Sequence, residues 1–309
     1  MTDSPRLDAD ARPTHLTRAS VLVLFSACCF GSIPILITLA IGSGARLVDV
    51  LAWRYLIAAV LLVFVSGGLA HVRRPSRVVT PLLLLAGGGQ AAIAFVSLSA
   101  LRYIPAATLT FLFYTYPTWV AVIAAVRGAE RINGRRALAL GLSLAGIAIM
   151  VGMPGADHLH PLGVLLALSS ALLYAAYIPM IDHLGRDLPP AVTSVYVSGG
   201  AAVIFVVVAL AQGGLAVRFA PIAWGAIATL AAVSTVLAFI AFLRGLAVIG
   251  PVRTAIVSTI EPFWTALLGG LVLSQALGPR TLVGGIGIAA AVILLQLGHG
   301  RATTPAPAA

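Results

Sequence analysis

The chain has 309 residues, of which 60% are hydrophobic and only 9% charged, with a mean hydropathy of +1.06 and a formal charge of +10. A soluble domain carries about 25% charged residues, so this composition cannot cover a water-facing surface, and lipid is the expected solvent. All 19 basic residues are arginine, scattered in short clusters between apolar runs, with no basic face or binding motif, which excludes nucleic acid as the partner.

Residues 1–18 are polar and include Asp3, Asp8 and Asp10. They do not read as the short cationic start of a secretory signal, so a cytoplasmic tail is expected and the first apolar run should remain as a spanning helix. A bilayer core needs about 20 apolar residues per helix. Ten such runs follow, spans 1 to 10: 19–41, 47–67, 79–101, 105–127, 134–153, 161–182, 191–212, 221–243, 250–273 and 280–298. The breaks between them are short and polar, as in RRPSR at 73–77 and DHLGRDLPP at 182–190. A disordered tail is expected at 299–309. The fold class is therefore an all-α polytopic membrane protein, with no room for a soluble domain.

Arginine bias sets the orientation. With the N-terminus inside, inner segments hold Arg6, Arg12, Arg18, Arg73, Arg74, Arg77, Arg127, Arg131, Arg135, Arg136, Arg186, Arg244, Arg253 and Arg301. The outer segments hold only Arg46, Arg102, Arg218 and Arg280. The positive-inside rule then places both termini in the cytoplasm.

The chain also repeats itself at an offset of 145. Pro34 falls on Pro179, Pro117 on Pro262, Trp119 on Trp264 and Arg135 on Arg280. Two five-helix repeats result, 19–153 and 161–298. An odd number of spans per half makes the second half enter the membrane from the opposite side. Such inverted repeats characterise secondary transporters.

Proline inside a helix removes a backbone hydrogen bond and frees the carbonyl four residues back. Lipid tolerates this where the freed group meets protein or a watery cavity. Here the prolines pair between the halves, Pro34 with Pro179 and Pro117 with Pro262, and predict interrupted helices in spans 1, 6, 4 and 9. The alternative is a packing kink with no ligand role.

Glu261, in STIEPFWTALLGG at 258–270, lies about eleven residues into span 9, roughly 16 Å along its axis. That is near the middle of a core about 30 Å thick. An ionisable group at that depth is a candidate functional residue. It is expected to bind substrate or to carry a proton for coupling; a purely structural hydrogen bond is the alternative. Aromatic residues cluster at the same depth: Tyr114, Tyr116 and Trp119 in span 4, Tyr174 and Tyr177 in span 6, Phe239 in span 8 and Trp264 in span 9. One carboxylate among aromatic faces suits an organic solute bearing an amino group. Arg54, about two turns into span 2, is either an anion partner or an interfacial arginine that snorkels. Gln90, Ser97, Ser99, Thr108 and Thr110 line a path or bond across helices.

Other signals are weaker. Cys28 and Cys29 are adjacent and suggest no disulfide framework. Asp157, His158 and His160 are too few for a metal site. GGG at 87–89 and GGIG at 284–287 lie within spans and fit close helix packing rather than phosphate binding. No catalytic constellation, cofactor or metal is expected.

FGSIPI at 30–35, RY at 54–55, ALRYIPAATLTFLFYTYPTW at 100–119, GAERI at 128–132 and IEPFWTALLGGLVL at 260–273 resemble the EamA-type transporters of the drug/metabolite transporter (DMT) superfamily. The resemblance extends over residues 16–298. It implies export of an amino acid, an amine or another metabolite, or exchange of a nucleotide sugar as in some relatives. It also implies a site between the halves at mid-membrane and a Glu-Pro pair in the ninth helix. One departure is that Glu130 has Gln275 at its repeat-related position, where the family often keeps Glu. A membrane sensor or a structural membrane protein is the non-transport alternative.

Overall fold

A computed structural model describes residues 11–100, 102–104, 106–128, 133–151, 160–274 and 278–296. Among the described residues every regular element is helical. In chain order they are α1 (Ala11–Gly31), α2 (Ile33–Gly42), α3 (Leu47–Val65), α4 (Leu69–Val72), α5 (Ser76–Pro81), a π-helical turn (Leu82–Gly87) and α6 (Gly88–Ala100). Then come α7 (Ala106–Phe113), α8 (Tyr116–Val126), α9 (Gly134–Val151), α10 (Pro161–Gly185), α11 (Pro190–Ala211) and α12 (Pro221–Ala231). A second π-helical turn (Ala232–Leu237), α13 (Ala238–Ser258), α14 (Glu261–Leu273) and α15 (Pro279–Gln296) complete the series. α1 begins inside the segment expected to be tail. Residues 1–10 and 297–309, with Glu130, Asp157, His158 and Gln275, lie outside the described residues.

Among the described residues, six helical stretches are long and apolar enough to cross a membrane: Leu16–Gly42, Leu47–Val65, Ser76–Ser97, Pro161–Gly185, Pro190–Ala211 and Pro221–Ser258. Shorter apolar helices are Tyr116–Val126, Glu261–Leu273 and Pro279–Leu294, of which the first two follow a break. Span 4 is split into α7 and α8. The last stretch holds span 8 and the start of span 9, divided at Gly250, whose φ of 77° and ψ of 168° leave the helical region. Only a residue without Cβ takes that conformation freely. Large apolar side chains point outward, among them Phe64, Phe95, Val126 and Leu271, each at least 70% exposed. In water such a surface would drive aggregation; in a bilayer it meets acyl chains.

The two halves interlock. Span 1 packs on span 8, span 3 on span 6, span 2 on span 7 and span 5 on span 10. Exchanging the halves turns the first contact into the second and leaves the other two unchanged, as a two-fold relation between inverted repeats requires.

Three of the four predicted interruptions are present. α7 ends at Phe113 and α8 starts at Tyr116; α13 ends at Ser258 and α14 starts at Glu261. The two breaks coincide at the 145-residue offset. In span 1 the break falls at Ser32, whose hydroxyl donates to the Cys29 carbonyl at 2.6 Å. Pro34, Pro117 and Pro262 each occupy the first turn of the helix after the break, where a missing N–H costs nothing. Pro179 departs from expectation, because α10 runs unbroken through it. Span 1 has Gly-Ser-Ile before its proline, whereas span 6 has Ala-Tyr-Ile, with no glycine and no short hydroxyl to end a turn.

The two π turns, at 82–87 and 232–237, are a second repeat feature, with no counterpart among the expectations from sequence. They lie 150 residues apart, five out of step with the 145-residue offset. Beside the first, Gly87 meets Gly200 of α11. A Cβ on Gly200 would sit 2.5 Å from the Leu83 carbonyl oxygen.

Asp49 is an acid that nothing in its sequence surroundings singles out. It is fully buried at the start of α3 and forms a two-pronged ion pair with Arg46, at 2.6 and 2.9 Å. Arg46 also donates to the carbonyls of Gln212 and Gly214, and the Ala216 N–H donates to Asp49 at 3.3 Å. The Trp53 indole donates to the Ala216 carbonyl at 2.8 Å. The loop between spans 7 and 8 is thereby latched onto span 2. Asp49→Asn is expected to lower stability by about 1.5–3 kcal/mol, the range for hydrogen bonds to charged groups. It should also speed amide exchange at residues 212–216, read by hydrogen–deuterium exchange. Unchanged exchange there would mean the ion pair is incidental.

Candidate functional site

A cavity of about 250 Å³ lies between the halves, lined from spans 1, 2, 3, 4, 6, 8 and 9. Its wall on span 1 runs from Phe30 to Ile37, on span 2 from Leu51 to Tyr55 and on span 3 from Gln90 to Ser97. These are the second half of span 1, the start of span 2 and the second half of span 3. The cavity thus reaches from mid-membrane toward the face that carries the loop between spans 1 and 2.

The breaks build its floor. The α1–α2 break packs directly on the start of α14. A Cβ on Gly31 would lie 2.9 Å from the Glu261 carbonyl oxygen, so only glycine permits this approach. The Thr265 hydroxyl sits 2.7 Å from the Gly31 carbonyl and 3.0 Å from that of Glu261, bridging the two spans. Glu261 is the first residue of α14, where the helix dipole favours a negative charge, and its side chain lines the cavity. It is partly buried, and the Tyr114 hydroxyl lies beside its carboxyl.

Aromatic rings form two walls. Phe30 contacts Phe239 and Phe242 edge to face, at 5.5 and 6.1 Å between centroids. Phe113 stacks on Tyr174 at 5.5 Å, and Tyr174 on Tyr177 at 6.2 Å. Tyr116 is 1% exposed and abuts Tyr174 at 4.7 Å, behind the wall. Its hydroxyl lies 3.5 Å from the Ala255 carbonyl, which ties the break in span 4 to span 9. The Tyr177 hydroxyl is buried and has no partner among the described residues.

Of the sequence-derived candidates, Glu261, Tyr174, Tyr177 and Phe239 come together at this cavity. Tyr114 and Tyr116 lie just beneath, holding Glu261 and Tyr174. Two tryptophans are placed elsewhere. Trp119 is 38% exposed on the lipid-facing side of α8. Trp264 lines a separate apolar groove with Cys28 and Leu268, open toward lipid between spans 1 and 9. Their shared position in the repeat reflects packing at the breaks rather than a common place at the site. Pro34, Pro117 and Pro262 shape the floor, while Pro179 lies one turn beyond Tyr174 within a continuous helix.

Gln90, Ser97 and Arg54 also line the cavity. The Gln90 amide donates to the Tyr55 hydroxyl at 3.3 Å, and the Ser97 hydroxyl donates to that of Ser170 at 3.3 Å. Arg54 does not snorkel: it is 4% exposed and turned inward to span 8. Phe30, Phe113 and Phe242 complete the wall and were not among the site residues expected from sequence.

The EamA-like transporter family matches residues 17–152 and 161–297, one copy on each half. The chain belongs to the EamA-like transporter family. Membership of the DMT superfamily follows, and the chain is a multi-pass membrane transporter of that family. A protein of Bacillus subtilis (strain 168) described as the uncharacterized transporter YcbK is 25% identical over 292 residues, covering 90% of this chain and 93% of its own. A solved crystal structure superposes with a TM-score of 0.76 at 16% identity, covering 91% of this chain and 97% of the other. That likeness shows the fold alone. In this EamA-like chain the join between the two copies falls between α9 and α10, and the cavity lies between the copies.

Proposed function

We propose that the protein is a secondary exporter of a small amino acid or amine, working by alternating access as the two halves rock about the central cavity. The observation that carries the reading is Glu261 at the head of a broken helix, facing a cavity walled by aromatic rings. A carboxylate among ring faces attracts an ammonium group. The volume supports a small solute: pockets for drug-sized ligands run from about 300 to 1,000 Å³, so a nucleotide sugar is a poor fit. The arginine bias supports a cytoplasmic location for both termini, and the bacterial relative supports insertion in the cell (inner) membrane. A proton is the coupling ion that a titratable Glu261 would serve.

Counterflow in proteoliposomes tests this reading. Vesicles loaded with unlabelled leucine are expected to accumulate radiolabelled leucine faster than protein-free vesicles. Exchange of a nucleotide sugar with no amino acid or amine flux would overturn the substrate class. No flux of any solute would favour the sensor or structural reading.

A further inference from the structure

We propose that Arg54 is the anion-recognising group of the central cavity, so that Arg54 and Glu261 together select a solute carrying both a carboxylate and an ammonium group. This deepens the transport reading of the same cavity and rests on it.

A charged side chain inside the membrane is costly and is ordinarily paired or functional. Arg54 has no acidic partner within 4 Å among the described residues, since the ion pairs there are Arg46–Asp49 and Asp182–Arg186. Its Nε donates to the Thr235 hydroxyl at 2.8 Å and its Nη2 to the Ser234 carbonyl at 3.1 Å. The guanidinium carbon lies 4.9 Å from the centroid of the Tyr55 ring. All of these partners are neutral. A guanidinium has five N–H donors, so three remain, at the wall of the cavity that Arg54 lines. Such a fork matches a carboxylate in two-pronged fashion.

The local structure holds the arginine in that pose. The π turn of span 8 shifts its hydrogen-bond register, and the Thr235 hydroxyl donates to the Leu230 carbonyl five residues back, at 2.8 Å. This fixes the hydroxyl oxygen as an acceptor for Arg54. Ser234, in the same turn, hydrogen bonds through its side chain to Ser32 in the break of span 1, at 2.8 Å. The arginine is therefore braced by the π turn of span 8 and, through Ser234, by the break of span 1.

Glu261 is the acidic group on the same cavity wall, with the Tyr114 hydroxyl beside it. A basic and an acidic side chain line one cavity, and neither is paired with the other. That arrangement leaves a dipolar solute to supply both counter-charges, with its apolar remainder against Phe30, Phe239 and Phe242.

The test compares leucine with isoamylamine, which lacks the carboxylate, and 4-methylpentanoate, which lacks the ammonium group. Binding to the purified full-length protein is measured by competition against radiolabelled leucine. Leucine is expected to bind at least tenfold more tightly than either analogue. Arg54→Gln should reduce leucine to the level of isoamylamine while changing isoamylamine less than threefold. Arg54→Lys, which keeps the charge and loses the fork, should fall between. Equal affinity of wild-type protein for leucine and isoamylamine would overturn the proposal, and that comparison needs no variant to fold. So would an Arg54→Gln protein with native thermal unfolding that weakens both ligands equally. If none of the three binds while another solute exchanges in counterflow, the two-charge site is wrong and the transport reading stands. If no solute exchanges at all, both fall.

Discussion

Glu261→Gln is expected to slow leucine counterflow at least tenfold while leaving thermal unfolding within a few degrees of wild type. Glutamine keeps the shape of the side chain and its contact with Tyr114, so the break in span 9 has no reason to move. What is lost is the charge. A hydrogen bond to a charged group contributes about 1.5–3 kcal/mol, which is about tenfold to a hundredfold in affinity. The effect should be selective. Solutes without an ammonium group should lose little, because they gained nothing from the carboxylate. Counterflow that is unchanged in rate and in pH dependence would make Glu261 a structural residue.

Gly200→Val is expected to have the largest effect on stability. Spans 3 and 7 approach backbone to backbone here: a Cβ on Gly200 would lie 2.5 Å from the Leu83 carbonyl oxygen and 2.9 Å from the Gly87 Cα. Neither contact is the end of a flexible side chain, so the helices themselves must separate. Overpacking a well-packed interior costs about 1–3 kcal/mol, sometimes more, and a branched residue against backbone belongs at the upper end. Lower yield of monodisperse protein and earlier thermal unfolding in detergent are the readouts. Gly141, where an added Cβ would meet nothing within 4 Å among the described residues, serves as the control, and Gly141→Val should be tolerated. Equal behaviour of the two variants would contradict the close packing of spans 3 and 7.

The features most legible in the sequence were those with a high physical cost in lipid. Glu261 and three of the prolines announced themselves because a charge or a broken turn in hydrocarbon needs a reason. The 145-residue offset then related the break at Tyr116 to the one at Glu261. Pro179 misled because proline is necessary for such a break but not sufficient; the Gly-Ser before Pro34 makes the difference. The aromatic residues were legible in depth and not in direction. Trp119 and Tyr116 sit three residues apart on one helix, yet one faces lipid and the other is 1% exposed. The π turns left no mark in LLLLAG or AVSTVL, since nothing local to those residues demands an extra residue per turn. Nor did the latch at Asp49, whose partners at 212–216 are remote in sequence. Arg54 stood between two readings until span 8 was in place to receive it.

The central claim is that the substrate occupies the cavity beside Glu261. Protection of an introduced thiol tests it most directly. In a background carrying Cys28→Ala and Cys29→Ala, Ala94→Cys puts a thiol on the cavity wall, and Phe25→Cys puts one in the lipid-facing groove. Leucine is predicted to slow modification of the first by a thiol-reactive reagent, saturating over the concentrations that saturate counterflow, and to leave the second unchanged. Robust leucine counterflow with no protection at Ala94→Cys would contradict the account.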